Sequence, residues 1–389
     1  MSAFQYILAQ WLRNKWTVGM VVFFGALANL LLILSSELSG KTEEHVLKNI
    51  SGIDLVVGAK GSPLQLVLSS VFFIDNPTGN IPVQSYLGFK RNPFVDMAVP
   101  LALGDSYQGF RMVGTNNDFK SLFPLDLERG EWFSAESEVL LGADLVTELN
   151  LEIGDVIYSQ HGTDNRGKKH QHPLQVSGIL EKCGCPVDRL ILTDVKTIQD
   201  SHGEEAKNEL TAVLMRTKSA LGKLQLPRQI NEKSQLQAAI PSIEADRLLQ
   251  LSSGVFKLLR FFSGVLFVVC ALAMLAAFMS RIKEMMRDAI VLRIAGFSRL
   301  KVLLLMFCEA MGMGVLGYLT ALAAYPIITL FALEGLIGQY GFNVQSFPGG
   351  STLLLSATAV FAMVLVALLV PAFRFSRSSI HAIVSKELY

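Results

Sequence analysis

Phe261-Phe262-Ser263-Gly264-Val265-Leu266-Phe267-Val268-Val269-Cys270-Ala271-Leu272-Ala273-Met274-Leu275-Ala276-Ala277-Phe278-Met279-Ser280 carries no charged residue, and Arg281-Ile282-Lys283-Glu284-Met285-Met286-Arg287-Asp288-Ala289-Ile290-Val291-Leu292-Arg293-Ile294-Ala295-Gly296-Phe297-Ser298-Arg299 follows at once. About twenty apolar residues at 1.5 Å each cross a hydrocarbon core of about 30 Å. The second half is amphipathic. Ile282, Met285, Met286, Ala289 and Leu292 recur at helical spacing, while Lys283, Glu284, Arg287 and Asp288 take other faces. Gly296 stops a helix readily, and Ser298 can cap the next one. This spacing predicts a short helix over 281–300, set between two spans and offered to a partner protein. A basic juxtamembrane loop that only sets topology would share the same composition.

Working outward, the chain is 51% hydrophobic and only 17% charged, which is too apolar for an ordinary soluble protein. Its formal net charge of +1 argues against nucleic acid as the main partner. Residues 1–15 read as an amphipathic interfacial helix, with Phe4, Ile7, Leu8, Trp11 and Leu12 on one stripe. Further spans are expected at 16–36, 301–333 and 352–373, beside 251–280. Pro326 marks the third as tilted or broken. The loop 334–351 has no Lys or Arg, whereas Arg13, Lys15, Arg281–Lys301, Arg374 and Arg377 fall on the opposite side. The positive-inside rule then puts both termini, the 281–300 segment and the tail 374–389 in the cytoplasm of a multi-pass membrane protein.

Residues 37–250 hold no comparable apolar run. Short β-like runs at Asp54–Val57, Glu138–Leu141, Gln175–Leu180 and Leu190–Thr193 alternate with helical stretches at Leu64–Phe72, Ala143–Leu149, Val195–Ser201 and Lys233–Ile240. The expected fold class is an α-helical membrane protein of four transmembrane helices, with a large α+β domain inserted between the first and second. Its end segments read as helices that continue the spans as a stalk. Leu66, Val67, Val71, Phe72 and Phe73 are either core or a surface for a partner or lipidated substrate.

His161, His170, His172, Cys183 and Cys185 crowd one window. Imidazole and thiolate are the preferred zinc ligands, but the spacing matches no standard zinc motif. The window therefore reads as a zinc site or as an exposed loop, and in an oxidising compartment the cysteines can also pair. Glu309 lies within a span, where a carboxylate is either functional or else snorkels or bonds neighbouring backbone.

The order of parts resembles the permease subunits of MacB/FtsX-type ABC transporters, which include the lipoprotein-releasing permeases. Leu292-Arg293-Ile294-Ala295-Gly296-Phe297-Ser298-Arg299 is similar to that family's segment after the second span. Pro371-Ala372-Phe373-Arg374 is similar to its exit from the last span, and Glu309 matches a glutamate common early in the third. The resemblance implies a bacterial inner-membrane homodimer working with a separate cytoplasmic ABC ATPase, a periplasmic adaptor or substrate-binding protein, and membrane lipid. It places ATP and magnesium on the ATPase, with no cofactor on this chain beyond the zinc raised above. These residues contain no Gly-x-x-x-x-Gly-Lys-(Ser/Thr) loop to cradle phosphates, so the permease itself is not expected to be an enzyme. Arg281, Met285, Met286, Arg287, Leu292, Arg293 and Gly296 become the expected ATPase-coupling residues. The cargo is then a lipoprotein, peptide, drug or other periplasmic molecule. Control of a periplasmic hydrolase and a part in zinc uptake are the alternatives.

The topology is testable. An impermeant thiol reagent applied to intact spheroplasts should label Asn165→Cys above the level of the unmodified chain and should miss Asp288→Cys. The opposite pattern would invert the arrangement.

Overall fold

The computed structural model describes residues 3–162, 169–203, 206–280, 298–333 and 347–377. In chain order its elements are α1 (Ala3–Arg13), α2 (Lys15–Ile50), β1 (Leu55–Ala59), α3 (Pro63–Ser70), β2 (Ile81–Pro82), α4 (Val83–Lys90), β3 (Val95–Tyr107), β4 (Phe110–Thr115), β5 (Leu127–Gly130), β6 (Glu138–Leu141), α5 (Ala143–Leu149), β7 (Val156–His161), β8 (Lys169–Leu180), β9 (Ile191–Asp194), α6 (Val195–Ser201), β10 (Glu209–Leu210), β11 (Ala212–Thr217), α7 (Ala220–Lys233), β12 (Leu236–Ala239), α8 (Pro241–Ser280), α9 (Arg299–Ile328) and α10 (Gly350–Arg377). They form two compact units. Among the described residues, one comprises 3–40, 252–280, 298–333 and 347–377; the other comprises 41–162, 169–203 and 206–251.

The first unit is helical. Lys15–Ile50, Pro241–Met279, Leu303–Phe331 and Gly350–Phe373 are each long and apolar enough to cross a membrane. Between helices of this kind, close backbone approach and polar contacts drive packing, because lipid supplies no hydrophobic force. Gly317 shows the approach: a side chain there would meet the α2 backbone, Val22 O and Ala26 N, at 3.2 Å. Ser263 Oγ donates to Ala28 O and Tyr318 Oη to Leu353 O. Trp11 packs into the buried cluster of Val21, Met274, Met306 and Met313, while Phe4 and Leu12 stay exposed. Ser298 caps α9 by accepting from the Lys301 N–H. Pro326 lies inside α9, and a π turn, Thr329–Leu333, follows it. Proline removes the amide donor that would serve the Leu322 carbonyl, and in the π turn that follows Thr329 Oγ1 donates to the Tyr325 and Pro326 carbonyls.

The second unit is α+β. Its main sheet runs β12-β1-β11-β3-β4-β9-β6-β8-β5, with β7 joined to β3 and β8. The sheet is mixed: β4–β9 and β6–β8 are parallel, and the other pairs are antiparallel. Both faces are buried, which is why Val139-Leu140-Leu141 is an unbroken apolar run. Leu140 and Leu192 face one cluster, whereas Val139, Leu141 and Ile191 face another. Leu66, Val67, Val71, Phe72 and Phe73 belong to the first of these clusters and are therefore core.

One local expectation is corrected. Lys233–Ile240 is not a helix: α7 ends at Lys233, and Leu236–Ala239 pairs with β1 as an edge strand. Asn231 fixes that turn, its Oδ1 accepting from the Ala238 N–H and its Nδ2 donating to Ala238 O. Pairing and burial override the helical preference of the two alanines.

Cys183 and Cys185 are joined in a disulfide, with their Cα atoms 5.2 Å apart. The Asp188 carboxylate accepts from the N–H groups of Cys183 and Gly184 at 2.9 and 2.7 Å. Burial raises the pKa of Asp188, and these bonds oppose that rise. At the other end of the sheet, Asp54 accepts from the Thr217 N–H and Oγ1 at 2.8 and 2.9 Å and from Lys223 Nζ at 3.1 Å. Burial pushes its carboxyl up, but these partners outweigh it and hold the pKa below the usual carboxylate value.

Two outcomes follow. A lowered carboxylate pKa contributes stability that is present above the unfolded pKa of about 3.9 and is lost as pH falls through the folded value. Asp54→Asn should therefore lower the stability of the α+β unit by about 1.5 kcal/mol at pH 7. Thermal unfolding of the purified chain, followed by circular dichroism, should show the penalty shrinking towards zero in acid. Separately, the chain denatured without reductant should be alkylated at Cys270 and Cys308 only, with Cys183 and Cys185 joining after reduction; mass spectrometry reads the difference.

Candidate functional site

The site begins with an irregularity in β3. Ala102 pairs with Gly114 and Leu103 with Val113, but the register then slips so that Ser106 meets Arg111. That slip is a one-residue bulge, and Gly104 within it has φ +149°, a backbone region that other residues rarely enter. The bulge turns Asp105 inwards, and its side chain is fully buried at 0% exposure. β7 crosses here, with Asp105 paired to His161 and Ser106 to Gln160.

Three imidazoles surround the Asp105 carboxylate. Oδ1 lies 2.9 Å from His202 Nε2, 3.3 Å from His170 Nε2 and 3.8 Å from His161 Nδ1. The rings contact one another, with centroids 4.4 to 5.3 Å apart. His202 stands at the C-cap of α6, and its N–H donates to Gln199 O. The hydrogen bond to Asp105 raises the pKa of His202; burial opposes it, and the nearby negative charge adds to it. The second carboxylate oxygen, Oδ2, is buried without a hydrogen-bond partner among the described residues. His161 leaves one edge of the cluster open, with its side chain 46% exposed. His170 also lines a groove of about 750 Å³ with Tyr107, Tyr158 and Gln171. Three ring nitrogens and a carboxylate can share protons or ligate a cation.

Of the five residues in the histidine–cysteine window, only His161 and His170 enter this cluster. His172 is exposed and lies outside it. Two residues apart on a regular strand would share a face, but β8 slips against β7 between the Tyr158–Pro173 and Gln160–Lys169 pairs. Cys183 and Cys185 form a separate group with Asp188, and their disulfide removes both thiolates as zinc ligands. Asp105 and His202 complete the cluster from positions the sequence reading did not select. The available signal was that four of the six histidines lie between 161 and 202. Glu309 is 2% exposed on α9, so it does not reach out to solvent. Arg281, Met285, Met286, Arg287, Leu292, Arg293 and Gly296 lie outside the described residues.

No curated protein matches the chain. Among solved structures it is similar to the periplasmic region of MacB from Actinobacillus actinomycetemcomitans, at 10% identity and TM-score 0.35, over 52% of this chain and 97% of that one. It is also similar to the extracellular domain of the noncanonic ABC-type transporter YknZ from Gram-positive bacteria, at 17% identity and TM-score 0.32, over 48% of this chain and 98% of that one. The family model of the MacB-like periplasmic core domain matches residues 30–231, just over half of the chain. With four membrane-length helices among its described residues, this chain is a multi-pass membrane protein that belongs to the MacB/FtsX-type ABC transporter permeases carrying a MacB-like periplasmic core domain.

Proposed function

We propose that this chain couples ATP hydrolysis, performed by a separate cytoplasmic ABC ATPase, to movement of its α+β unit on the outer side of the inner membrane. The observation that carries this reading is the joining of a MacB-like core domain to four membrane-length helices in one chain. Lys15–Ile50 and Pro241–Ser280 are each continuous helices, of 36 and 40 residues. At 1.5 Å per residue they reach roughly 54 and 60 Å, well beyond the ~30 Å a bilayer core requires. Rigid elements of this length can transmit a displacement without a solute path through the lipid. A second copy of the chain completes the assembly, and the moving domain acts on a lipoprotein, peptide, drug or other extracytoplasmic cargo. Both termini and the 281–300 segment face the ATPase.

In this reading the apolar stripe of the 281–300 segment docks into a groove of the ATPase, with Arg287 and Arg293 meeting carboxylates there. Buried apolar anchors carry most of the energy of such contacts. Met286→Asp and Leu292→Asp should leave insertion and dimerisation intact while reducing co-purification of the ATPase and stimulation of its activity. A tenfold loss corresponds to about 1.4 kcal/mol of docking energy. Unchanged binding and unchanged coupled activity in both variants would reduce the segment to a topological loop.

A further inference from the structure

We propose that Asp105, His161, His170 and His202 bind a divalent transition-metal ion, with zinc the best match to the donor set. One ligand atom from each residue, three imidazole nitrogens and a carboxylate oxygen, lies within 4.8 Å of all the others. A tetrahedral zinc ion with bonds of about 2.0–2.1 Å holds its ligand atoms roughly 3.3 Å apart. The separations from Asp105 Oδ1, at 2.9, 3.3 and 3.8 Å, bracket that spacing. The longest belongs to His161, the most exposed of the three rings.

The buried carboxylate supplies an independent observation. Asp105 Oδ2 lies in the same cluster with no hydrogen-bond partner among the described residues. A buried carboxylate is costly unless its charge and its lone pairs are met. A bound dication meets both and leaves the three rings in the neutral form that ligation requires. A simple Asp105–His202 ion pair accounts for the 2.9 Å contact. It leaves unexplained why the ends of two further strands bring His170 and His161 to the same oxygen. Nitrogen and oxygen donors suit zinc, cobalt and nickel and disfavour cuprous ion, which prefers sulfur. The ligands come from β3, β7, β8 and the end of α6, so one ion cross-links four elements. The open edge at His161 gives the ion a route to and from solvent.

The test uses the full chain in detergent, carrying an affinity tag without histidine. After chelator treatment and desalting, it is titrated with zinc chloride against a chromophoric competitor, and retained metal is counted by mass spectrometry. The wild-type chain should retain one zinc per chain, and zinc should raise its unfolding temperature. His172→Ala, altering the exposed neighbour outside the cluster, should behave as wild type. His161→Ala/His170→Ala should lose the bound zinc. His161→Gln, at the exposed edge where folding is least at risk, should weaken binding by at least about tenfold, since even outer-shell changes cost that much. Cobalt should give the intense visible bands of a tetrahedral site in the wild type and not in the double variant. A folded wild-type chain that retains no zinc, or a folded His161→Gln variant that binds as tightly as wild type, overturns the proposal.

Discussion

A carboxylate buried at a bulge constrains the α+β unit more than any other single group. β3 pairs with β11, β4 and β7, so it joins the β1–β11–β12 side of the sheet to the β4–β9–β6–β8–β5 side. Along β3, Val99 and Leu101 face one buried cluster and Ala102 faces another. The bulge at Gly104 spends two buried positions on Asp105 and Ser106. An unpaired buried charge costs several kcal/mol, which the packing around it has to offset. The imidazoles that β7, β8 and the end of α6 bring to Oδ1 offset part of that cost, while Oδ2 keeps no hydrogen-bond partner among the described residues. The bulge, the crossing of β7 and the placing of His202 after α6 are thus one arrangement seen from three elements.

How much of this was legible in the sequence depends on the range of the interactions. The spans are local properties: twenty uncharged residues before Arg281 need no partner to be read. Runs such as Glu138–Leu141 and helices such as Ala143–Leu149 and Val195–Ser201 also declare themselves locally. Lys233–Ile240 misled because its alanines favour helix in isolation, while the edge of β1 offers them hydrogen bonds that only the folded sheet creates.

The candidate site was half legible for the same reason. His161 and His170 stand nine positions apart on adjacent strands, so a sequence window catches both. Asp105 comes from a strand far upstream, and Gly104-Asp105-Ser106 reads as a turn rather than as a bulge within a 13-residue strand. His202 follows a helix and carries no local mark. Cys183 and Cys185 entered the window because thiolates and imidazoles share a taste for zinc, but a disulfide partner two positions away claims them. Sequence proximity selected chemistry that the fold then divided between two places.

The membrane unit bears on mechanism through the way its polar groups are used. Asn29 Nδ2 donates to Gly25 O, Ser35 Oγ to Leu32 O, Ser263 Oγ to Ala28 O, Thr329 Oγ1 to Tyr325 O and Ser356 Oγ to Thr352 O. Each of these five side chains donates to a backbone carbonyl, four in their own helix and Ser263 in a neighbour. In an apolar medium such bonds satisfy the donor hydrogens, and the Ser263–Ala28 bond also ties α8 to α2. Gly317 allows close packing of α9 on α2, since a side chain there would meet the α2 backbone at 3.2 Å. A helical unit built this way is suited to moving as a set of packed rods. That suits the reading in which the work of the ATPase is spent on displacing the α+β unit, and it makes the long continuous helices Lys15–Ile50 and Pro241–Ser280 the elements through which force would pass.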